Sequence, residues 1–223
     1  VQRGTYRAKP SKRAWIAKAG GQRPLGMAAL EDKIDQQAVR RVLEEIFEAE
    51  FVGLSYGYRP GRSAHDALDA LWVGVRGRRI NWVLDCDIRG FFDAIVHEWL
   101  MKFIEHRVGD RRVLRLIRKW LRAGVSEDGQ WSKTVVGTPQ GSVISPFLAN
   151  VYLHYVLDLW VTHWRKHHAQ GDVIVVRYAD DFVVLVRGSR ADAEALWDEV
   201  TKVLSPIGLR LSVEKTLVTH VDT

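Results

Sequence analysis

The sequence RYADDFVVL, from Arg177 to Leu185, places two adjacent carboxylates between two apolar segments. DVIVV precedes the pair and FVVLV follows it, and β-branched runs of this kind are typical of strands. The stretch therefore predicts a β-hairpin with Asp180 and Asp181 in its tight turn. Two like charges that converge in a half-buried turn repel each other unless a cation lies between them. A metal site and an ordinary polar turn both fit this stretch, because aspartate is common in turns.

A second group of carboxylates lies in VLDCDIRGFFDAI, which contains Asp85, Asp87 and Asp93. Asp85 and Asp87 are two residues apart, so they share a face of a strand. Asp87 ends the predicted strand, and beside the hairpin it would complete a cluster of three carboxylates. Hard oxygen ligands suit Mg²⁺, and three carboxylates with two Mg²⁺ ions form the two-metal arrangement of nucleotidyl transfer. We interpret Asp87 as a metal ligand, Asp85 as a salt-bridged or strand-terminal carboxylate, and Asp93 as a capping or orienting residue.

Composition adds a basic surface to this picture. The chain has 223 residues and a net charge of +6, and residues 1–30 contain seven basic and no acidic side chains. A second basic run, RVGDRRVLRLIRKWLR, covers residues 107–122. Such patches suit polyphosphate partners, with a solvated surface as the alternative. The single cysteine, Cys86, excludes an internal disulfide framework and a cysteine metal site, and no apolar run is long enough to span a membrane. We therefore expect an intracellular protein.

Periodicity predicts a chain that mixes helices with hairpins. Apolar residues at i, i+4 spacing predict an amphipathic helix over residues 30–51, with Leu30, Ile34, Ala38, Val42 and Ile46 on its apolar face. Helices are also predicted after the N-cap Ser63 and over residues 97–107, 111–123, 142–164 and 189–208. Strands are predicted on both sides of the turn at 18–26, at 79–88, as a hairpin at 172–188, and as two short strands at 209–221, with a hairpin or loop at 126–141. This order predicts an α+β fold with a mostly antiparallel sheet.

Six blocks follow one another in the order found in bacterial group II intron reverse transcriptases: RPLGMAALEDKI, YGYRPGRSAHDAL, DCDIRGFFDAI, GTPQGSVISPFLANVYLH, RYADDFVVL and GLRLSVEKT. They cover nearly all of the chain from Arg23 onward, so the chain resembles the fingers and palm of these enzymes. The resemblance implies a right-hand polymerase, with fingers at 1–79, palm at 80–104, a fingers-palm connection at 105–138, and palm again at 139–223. It also implies that the chain ends before the thumb, so weak activity or none is expected of this piece alone.

The resemblance also implies a role for individual residues. Asp87, Asp180 and Asp181 match the catalytic, metal-binding aspartates; Ile88 would offer its carbonyl to a metal, and Lys215 would protonate the leaving pyrophosphate. Phe92 matches the steric gate that excludes a 2′-hydroxyl, and the other implied nucleotide contacts are Gln140, Gly141, Arg23 and Lys18. Implied contacts to primer and template are Tyr178, Arg59 and Arg62. Core packing is the alternative for the aromatic residues, a helix-start turn for TPQG, and a solvated charge for the basic residues. Ser142 stands where many relatives have glycine, and little effect is expected.

These assignments imply an RNA-directed DNA polymerase that adds dNTPs to a DNA or RNA primer on an RNA template. They imply two Mg²⁺ ions, with Mn²⁺ as a possible substitute, and a full-length protein that binds group II intron RNA as a maturase. The alternatives are a reverse transcriptase of a CRISPR or diversity-generating element and a non-catalytic maturase module. The presence of all three aspartates favours a retained active site. We expect a cytoplasmic, nucleoid-associated protein without a membrane partner, and its oligomeric state stays open.

Overall fold

The computed structural model describes residues 5–18, 21–169 and 171–222, except the side chains of Lys18 and Arg23. Its strands are β1 (Ser11–Lys18), β2 (Gly21–Met27), β3 (Trp82–Asp87), β4 (Val125–Glu127), β5 (Gln130–Ser132), β6 (Val173–Tyr178), β7 (Asp181–Val186) and β8 (Leu217–His220). Its α-helices are α1 (Leu30–Glu48), α2 (Ala64–Arg78), α3 (Phe91–Ala94), α4 (His97–Glu105), α5 (Arg111–Leu121), α6 (Ser145–Leu153), α7 (Leu159–His167) and α8 (Arg190–Leu204). The predicted α+β class is confirmed.

The chain forms two compact units, and each is built from two separate parts of the sequence. The first unit comprises Val1–Ala49 and Phe92–Leu148, and the second comprises Glu50–Phe91 and Ala149–Thr223. Each unit contains one four-stranded sheet. The assignment of residues 1–79, 80–104, 105–138 and 139–223 to fingers, palm and their connection stays a prediction.

The sheet of the first unit has the strand order β2-β1-β4-β5. The glycine-marked turn predicted at residues 18–26 is a hairpin, in which β1 and β2 pair from Lys12↔Met27 to Lys18↔Gly21. β4 runs parallel to β1 and forms a second short hairpin with β5. Asp110 caps the start of helix α5, since its carboxylate accepts the backbone N–H of Arg112. The buried face of the helix carries Leu114, Ile117, Trp120 and Leu121. The opposite face of α5 is basic, as the sequence predicted.

Helix α1 forms as predicted but buries a different face. Its apolar stripe is exposed: the exposed fraction is 71% at Leu30 and 62% at Ile34 and Val42. The buried face instead carries Asp32 and Gln36 together with Leu43 and Phe47. The cause is polar pairing, because Asp32 accepts the backbone N–H of Lys9 at 2.9 Å and the hydroxyl of Tyr6, while Gln36 accepts the Ser142 hydroxyl at 2.8 Å.

The sheet of the second unit has the order β6-β7-β3-β8, and all of its neighbouring strands are antiparallel. Its core side chains include Leu84, Phe182 and Val184. The hairpin predicted over residues 172–188 is confirmed. Only β8 forms a strand over residues 209–221, so the prediction of two strands there was wrong. The reason is a turn, since Ser212 O accepts the backbone N–H groups of Lys215 and Thr216, and Leu211 contributes an isolated bridge to Ile88.

Helices α2 and α8 start where the sequence predicts them. Ser63 and Ser189 each form a reciprocal capping box, with Asp66 and Asp192 respectively. The helix predicted over residues 142–164 is interrupted between α6 and α7 by a π-helical turn, His154–Asp158, and it is buried as far as Asp158. No helix in the described part of the chain is long and apolar enough to cross a membrane.

Candidate active site

The structure brings Asp87 and Asp181 together at one edge of the second unit's sheet. They are the last residue of β3 and the first of β7, and they lie directly opposite each other in the antiparallel ladder. The carboxyl group of Asp87 and the charge of Asp180 both act on Asp181. Ile88, next to Asp87, is buried and bridges to Leu211. Pairing of two strands that are distant in sequence therefore brings Asp87 and Asp181 opposite each other, with Asp180 next to Asp181 in the chain. The binding of metal by the three carboxylates stays a prediction.

The pKa of Asp181 depends on burial and on the charged groups at this edge. Burial, with the charges of Asp180 and Asp87 as further causes, raises the pKa of Asp181 from 3.8 to about 6. The Lys215 ammonium lies 3.0 Å from both carboxylate oxygens of Asp87. Its positive charge lowers the pKa of Asp181 and so partly offsets the rise. The Asp87 carboxylate in turn raises the pKa of Lys215, which therefore stays protonated at neutral pH. Positive charge is stabilised at this edge.

The chemistry of this donor set fits a hard divalent cation. Aspartate oxygens are the ligands that Mg²⁺ prefers. Burial is the main cause of the raised pKa of Asp181, and the charges of Asp180 and Asp87, which raise it further, are ones that such an ion would offset. Asp87, Asp180 and Asp181 would hold it. Within the described ranges, no three side chains of His, Cys, Asp or Glu are already gathered around a single point as a ready metal cage. The site thus has the ligand types for a cation, with Lys215 paired to one of them.

The turn that presents Asp180 and Asp181 has a strained backbone. Ala179 has φ of +59°, in the left-handed region that side chains other than glycine seldom adopt. Gly57 packs directly on it, because a Cβ at residue 57 would lie 2.4 Å from the Ala179 nitrogen. Tyr178, the last residue of β6, is 39% exposed beside the turn. Its position suits a primer contact, which stays a prediction.

Arg59 and Arg62 lie in the loop that precedes α2, and the structure gives Arg59 a role other than the predicted phosphate contact. The Arg59 side chain is buried and donates to the carbonyls of Val52 and Ser55 at 2.8 and 2.9 Å. A buried guanidinium that is bonded to its own loop cannot reach a phosphate group, so we correct that assignment. Arg62 is half-buried and donates to the carbonyls of Gly53 and Ser55. It retains partial access to solvent, and its phosphate contact stays a prediction.

The predicted nucleotide contacts belong to the first unit. The backbone of Phe92 holds the TPQG loop, since Phe92 O accepts the N–H of Thr138 at 2.7 Å, and Gln140 O accepts the N–H of Gly26 in β2. Gly141 has φ of +104°, and a Cβ there would lie 2.8 Å from Gly26 O, so both the backbone conformation and the space favour glycine. The side chains of Arg23 and Lys18 lie outside the described residues. The roles of all five residues in nucleotide binding stay predictions.

Two structural features were not found from the sequence. Ser142, which was expected to matter little, is buried and donates to Gln36, tying the TPQG segment to α1. Arg177 and Asp158 form a fully buried ion pair beside the acidic turn. The available signal for the pair was one charged residue inside each of two apolar segments, β6 and the run after α6. That pattern marks a buried partner but does not say which residues pair.

Comparison with known proteins agrees with this architecture. The family model described as reverse transcriptase (RNA-dependent DNA polymerase) matches residues 9–223. Protein YkfC of Escherichia coli (strain K12) is 36% identical over 98% of this chain and 65% of its own length. The group II intron-encoded protein LtrA of Lactococcus lactis subsp. cremoris is 34% identical over 97% of this chain and 46% of its own length. The chain thus spans between about half and two thirds of these relatives.

Solved structures support the same fold. Apo telomerase from Candida tropicalis, truncated from its C-terminal domain, superimposes with a TM-score of 0.73 at 13% identity, covering 97% of this chain and 51% of that one. Telomerase from Candida albicans, in complex with a fragment of telomeric RNA, gives a TM-score of 0.69 at 15% identity, covering 98% of this chain and 42% of that one. At these identities the likeness concerns the fold alone, and it confirms the expected fingers and palm architecture. With its fold, its ordered sequence blocks and the family model in agreement over nearly the whole chain, this protein belongs to the reverse transcriptase family.

Proposed function

We propose that the protein is the polymerase core of a group II intron-encoded reverse transcriptase, which extends a primer with dNTPs on an RNA template. The observation that carries the proposal is the pairing of Asp87 with Asp181 at the end of β3 and β7, with Lys215 3.0 Å from Asp87. Family membership supports the reaction, and the intron-encoded protein LtrA supports the intron origin over a CRISPR or diversity-generating element.

The residues of this edge supply charge and a proton donor for nucleotidyl transfer. Two Mg²⁺ ions, or Mn²⁺ in their place, would activate the primer 3′-hydroxyl and neutralise the triphosphate when bound to Asp87, Asp180 and Asp181. Lys215, whose pKa is raised by Asp87, carries the proton that a leaving pyrophosphate requires. In this proposal Phe92 excludes the 2′-hydroxyl of a ribonucleotide, while Gln140 and Gly141 contact the incoming nucleotide.

Primer extension with Asp181→Asn tests the proposal. The substitution removes one anionic ligand and keeps the shape of the side chain, so it should lower the rate on an RNA template by roughly 10³-fold, because metal-assisted charge stabilisation is worth several kcal/mol. Asp85→Asn is a matched control, since Asp85 is exposed on the same strand and two residues from Asp87. It should retain the rate within about threefold. Full activity in Asp181→Asn protein would refute the assignment of this edge as the active site.

We also propose that the full-length protein binds intron RNA and works in the cytoplasm beside the nucleoid. The basic exposed face of α5 and the net charge of +6 support a nucleic-acid partner. RNA binding of this kind does not need the aspartates. Asp181→Asn protein should therefore bind RNA as tightly as wild type in a filter-binding assay, whereas loss of both properties would show that they share one site.

A further inference from the structure

Arg177 is a fully buried arginine in the strand that leads into the acidic turn. Its Nε and Nη2 atoms donate to the two carboxylate oxygens of Asp158 at 2.7 and 2.6 Å, and both side chains have zero solvent exposure. Asp158 closes the π-helical turn between α6 and α7, a type of helical irregularity that is frequent at functional sites. The fork of the guanidinium thus matches the carboxylate on two bonds, which fixes the plane of the arginine head group.

Stability alone does not account for this pair. Removing two charges from water is costly, and replacing a buried ion pair by apolar residues often leaves a protein as stable or more stable. The hydrogen bonds of the third guanidinium nitrogen of Arg177 indicate the structural role of the pair. Nη1 donates to the Ala179 carbonyl at 2.8 Å and to Asn150 Oδ1 at 3.0 Å. The guanidinium therefore links α6 and the π-helical turn to the backbone of the acidic turn.

The same turn is held on its other side by the segment before α2. The N–H of Arg177 donates to Leu54 O at 2.8 Å, and Arg177 O accepts the N–H of Tyr56 at 2.9 Å. Asn150 Nδ2 donates to Gly57 O at 2.7 Å, so the residue that receives a bond from Arg177 also fixes the glycine packed on Ala179. These contacts enclose Ala179 in the strained conformation from which Asp180 and Asp181 follow.

We infer that Arg177 is a positioning residue for the active-site carboxylates. Through Asp158 and Asn150 it anchors the Ala179 carbonyl, and so it sets the direction in which Asp180 and Asp181 point relative to Asp87. The inference rests on the proposed polymerase function for its kinetic consequence. It requires the forked shape of the guanidinium, since a point charge could pair with Asp158 without reaching the Ala179 carbonyl.

Arg177→Lys separates positioning from charge pairing. Lysine keeps a cation for Asp158 but cannot bond to Asp158 and Ala179 in the same plane. Because a misplacement of about 1 Å costs roughly 10²-fold in rate, kcat should fall by about 100-fold, with the KM for dNTP within about threefold of wild type. A residue that only balances the charge of Asp158 would leave kcat near wild type in this variant. Wild-type kcat in Arg177→Lys protein overturns the inference.

The double variant Arg177→Met with Asp158→Leu removes both charges and keeps apolar volume in the core. We expect a melting temperature close to wild type together with the same loss of kcat. The matched control is Arg187→Met with Asp172→Leu, an exposed pair 3.7 Å apart at the other end of the hairpin; it should retain kcat. A folded double variant with full kcat also overturns the inference, and if this variant does not fold, Arg177→Lys decides.

A binding measurement separates this inference from the proposed function. Mn²⁺ affinity, measured by calorimetry on the protein without primer, template or nucleotide, should weaken about tenfold in Arg177→Lys and stay unchanged in the control pair. If the full-length wild-type protein fails to extend a primer, the proposed function fails, and the Mn²⁺ comparison still tests the positioning of the carboxylates. Equal Mn²⁺ affinity in wild-type and Arg177→Lys protein then refutes the positioning role.

Discussion

At Asp181 the fold places a carboxyl group beside two other acidic side chains. Asp181 is the first residue of β7, opposite Asp87 and next to Asp180, and its pKa is raised to about 6 by burial and by these two charges. A bound cation would favour the ionised form of this carboxyl group. Arg177 has the opposite character, because its charge is matched by Asp158 and its Nη1 atom donates to Asn150 and to the Ala179 carbonyl of the turn.

The raised pKa of Asp181 predicts how the stability of the metal-free protein depends on pH. The folded chain holds this proton more tightly than the unfolded chain, whose carboxyl has its ordinary pKa of 3.8. The stabilising contribution is therefore complete below pH 3.8 and is lost as the pH rises through about 6. The difference in melting temperature between Asp181→Asn and wild type, measured in EDTA, should grow in favour of the variant over this window.

Asp85→Asn is the control for this titration, because it changes the same kind of side chain two residues from Asp87. Addition of Mg²⁺ at pH 7 should raise the melting temperature of wild type more than that of Asp181→Asn. A difference between wild type and Asp181→Asn that is the same at pH 4 and at pH 7 would contradict the electrostatic account of the site.

At the scale of the elements, local signals predicted the start and the type of most helices and strands. The capping serines at positions 63 and 189 and the β-branched runs around Asp180 act within a few residues, so they are visible in the sequence. The buried face of α1 was not predictable in this way. Asp32 and Gln36 face inward because Lys9 and Ser142 bond to them, and partners so far along the chain leave no periodic pattern. Asp158, which ends the π-helical turn, likewise bonds to a residue of another element, Arg177.

The contact between the loop before α2 and the acidic turn predicts an unusually sensitive glycine. A Cβ at Gly57 would lie 2.4 Å from the Ala179 nitrogen, so Gly57→Ala must displace the turn. We expect kcat for primer extension to fall by about 100-fold, from a shift of the carboxylates of about 1 Å. Steady-state kinetics on an RNA template measures the loss of kcat, and a thermal melt measures any loss of stability.

Gly53→Ala is the matched control, because it adds the same methyl group to the same loop and a Cβ there meets no atom within 4 Å. It should leave kcat within about twofold of wild type. Equal activity in the two variants would show that the turn tolerates movement, which would also weaken the role assigned to Arg177.

At the scale of the whole molecule, the sequence predicted the fold class because ordered blocks cover nearly the full chain. The roles that these blocks assign to the three carboxylates stay predictions. The sequence did not predict the ion pair of Arg177 with Asp158 or the burial of Arg59, since neither follows from a block or a spacing. The division into two units that each join distant parts of the chain is equally a product of long-range packing.

Net positive charge predicts a binding constant for nucleic acid that falls with salt. The chain carries +6 overall, and α5 contains no acidic residue. Replacing its exposed Arg111 and Arg115 by glutamine should weaken binding to an RNA–DNA hybrid and lower the slope of log K against log salt by roughly 1 to 2, since each phosphate contact contributes about 0.9. Fluorescence anisotropy from 50 to about 300 mM salt measures this slope.

The control for this surface removes two arginines that are already paired with carboxylates. Arg187 is paired with Asp172 and Arg190 with Glu194, and both arginines are exposed. Their replacement by glutamine should change the slope by less than about half a unit. If both double variants changed the slope equally, the binding would depend on total charge alone and not on the face of α5.

The pairing of Asp87 with its partners has a consequence for the time at which the candidate site is assembled. Lys215 bonds to Asp87 across 128 residues, and β3 must wait for both β7 and β8 before its edge is complete. Contacts of such separation close large loops and form late in folding. A nascent chain that has not yet passed Lys215 therefore has no assembled carboxylate edge, and the proposed polymerisation requires that the last strand has docked.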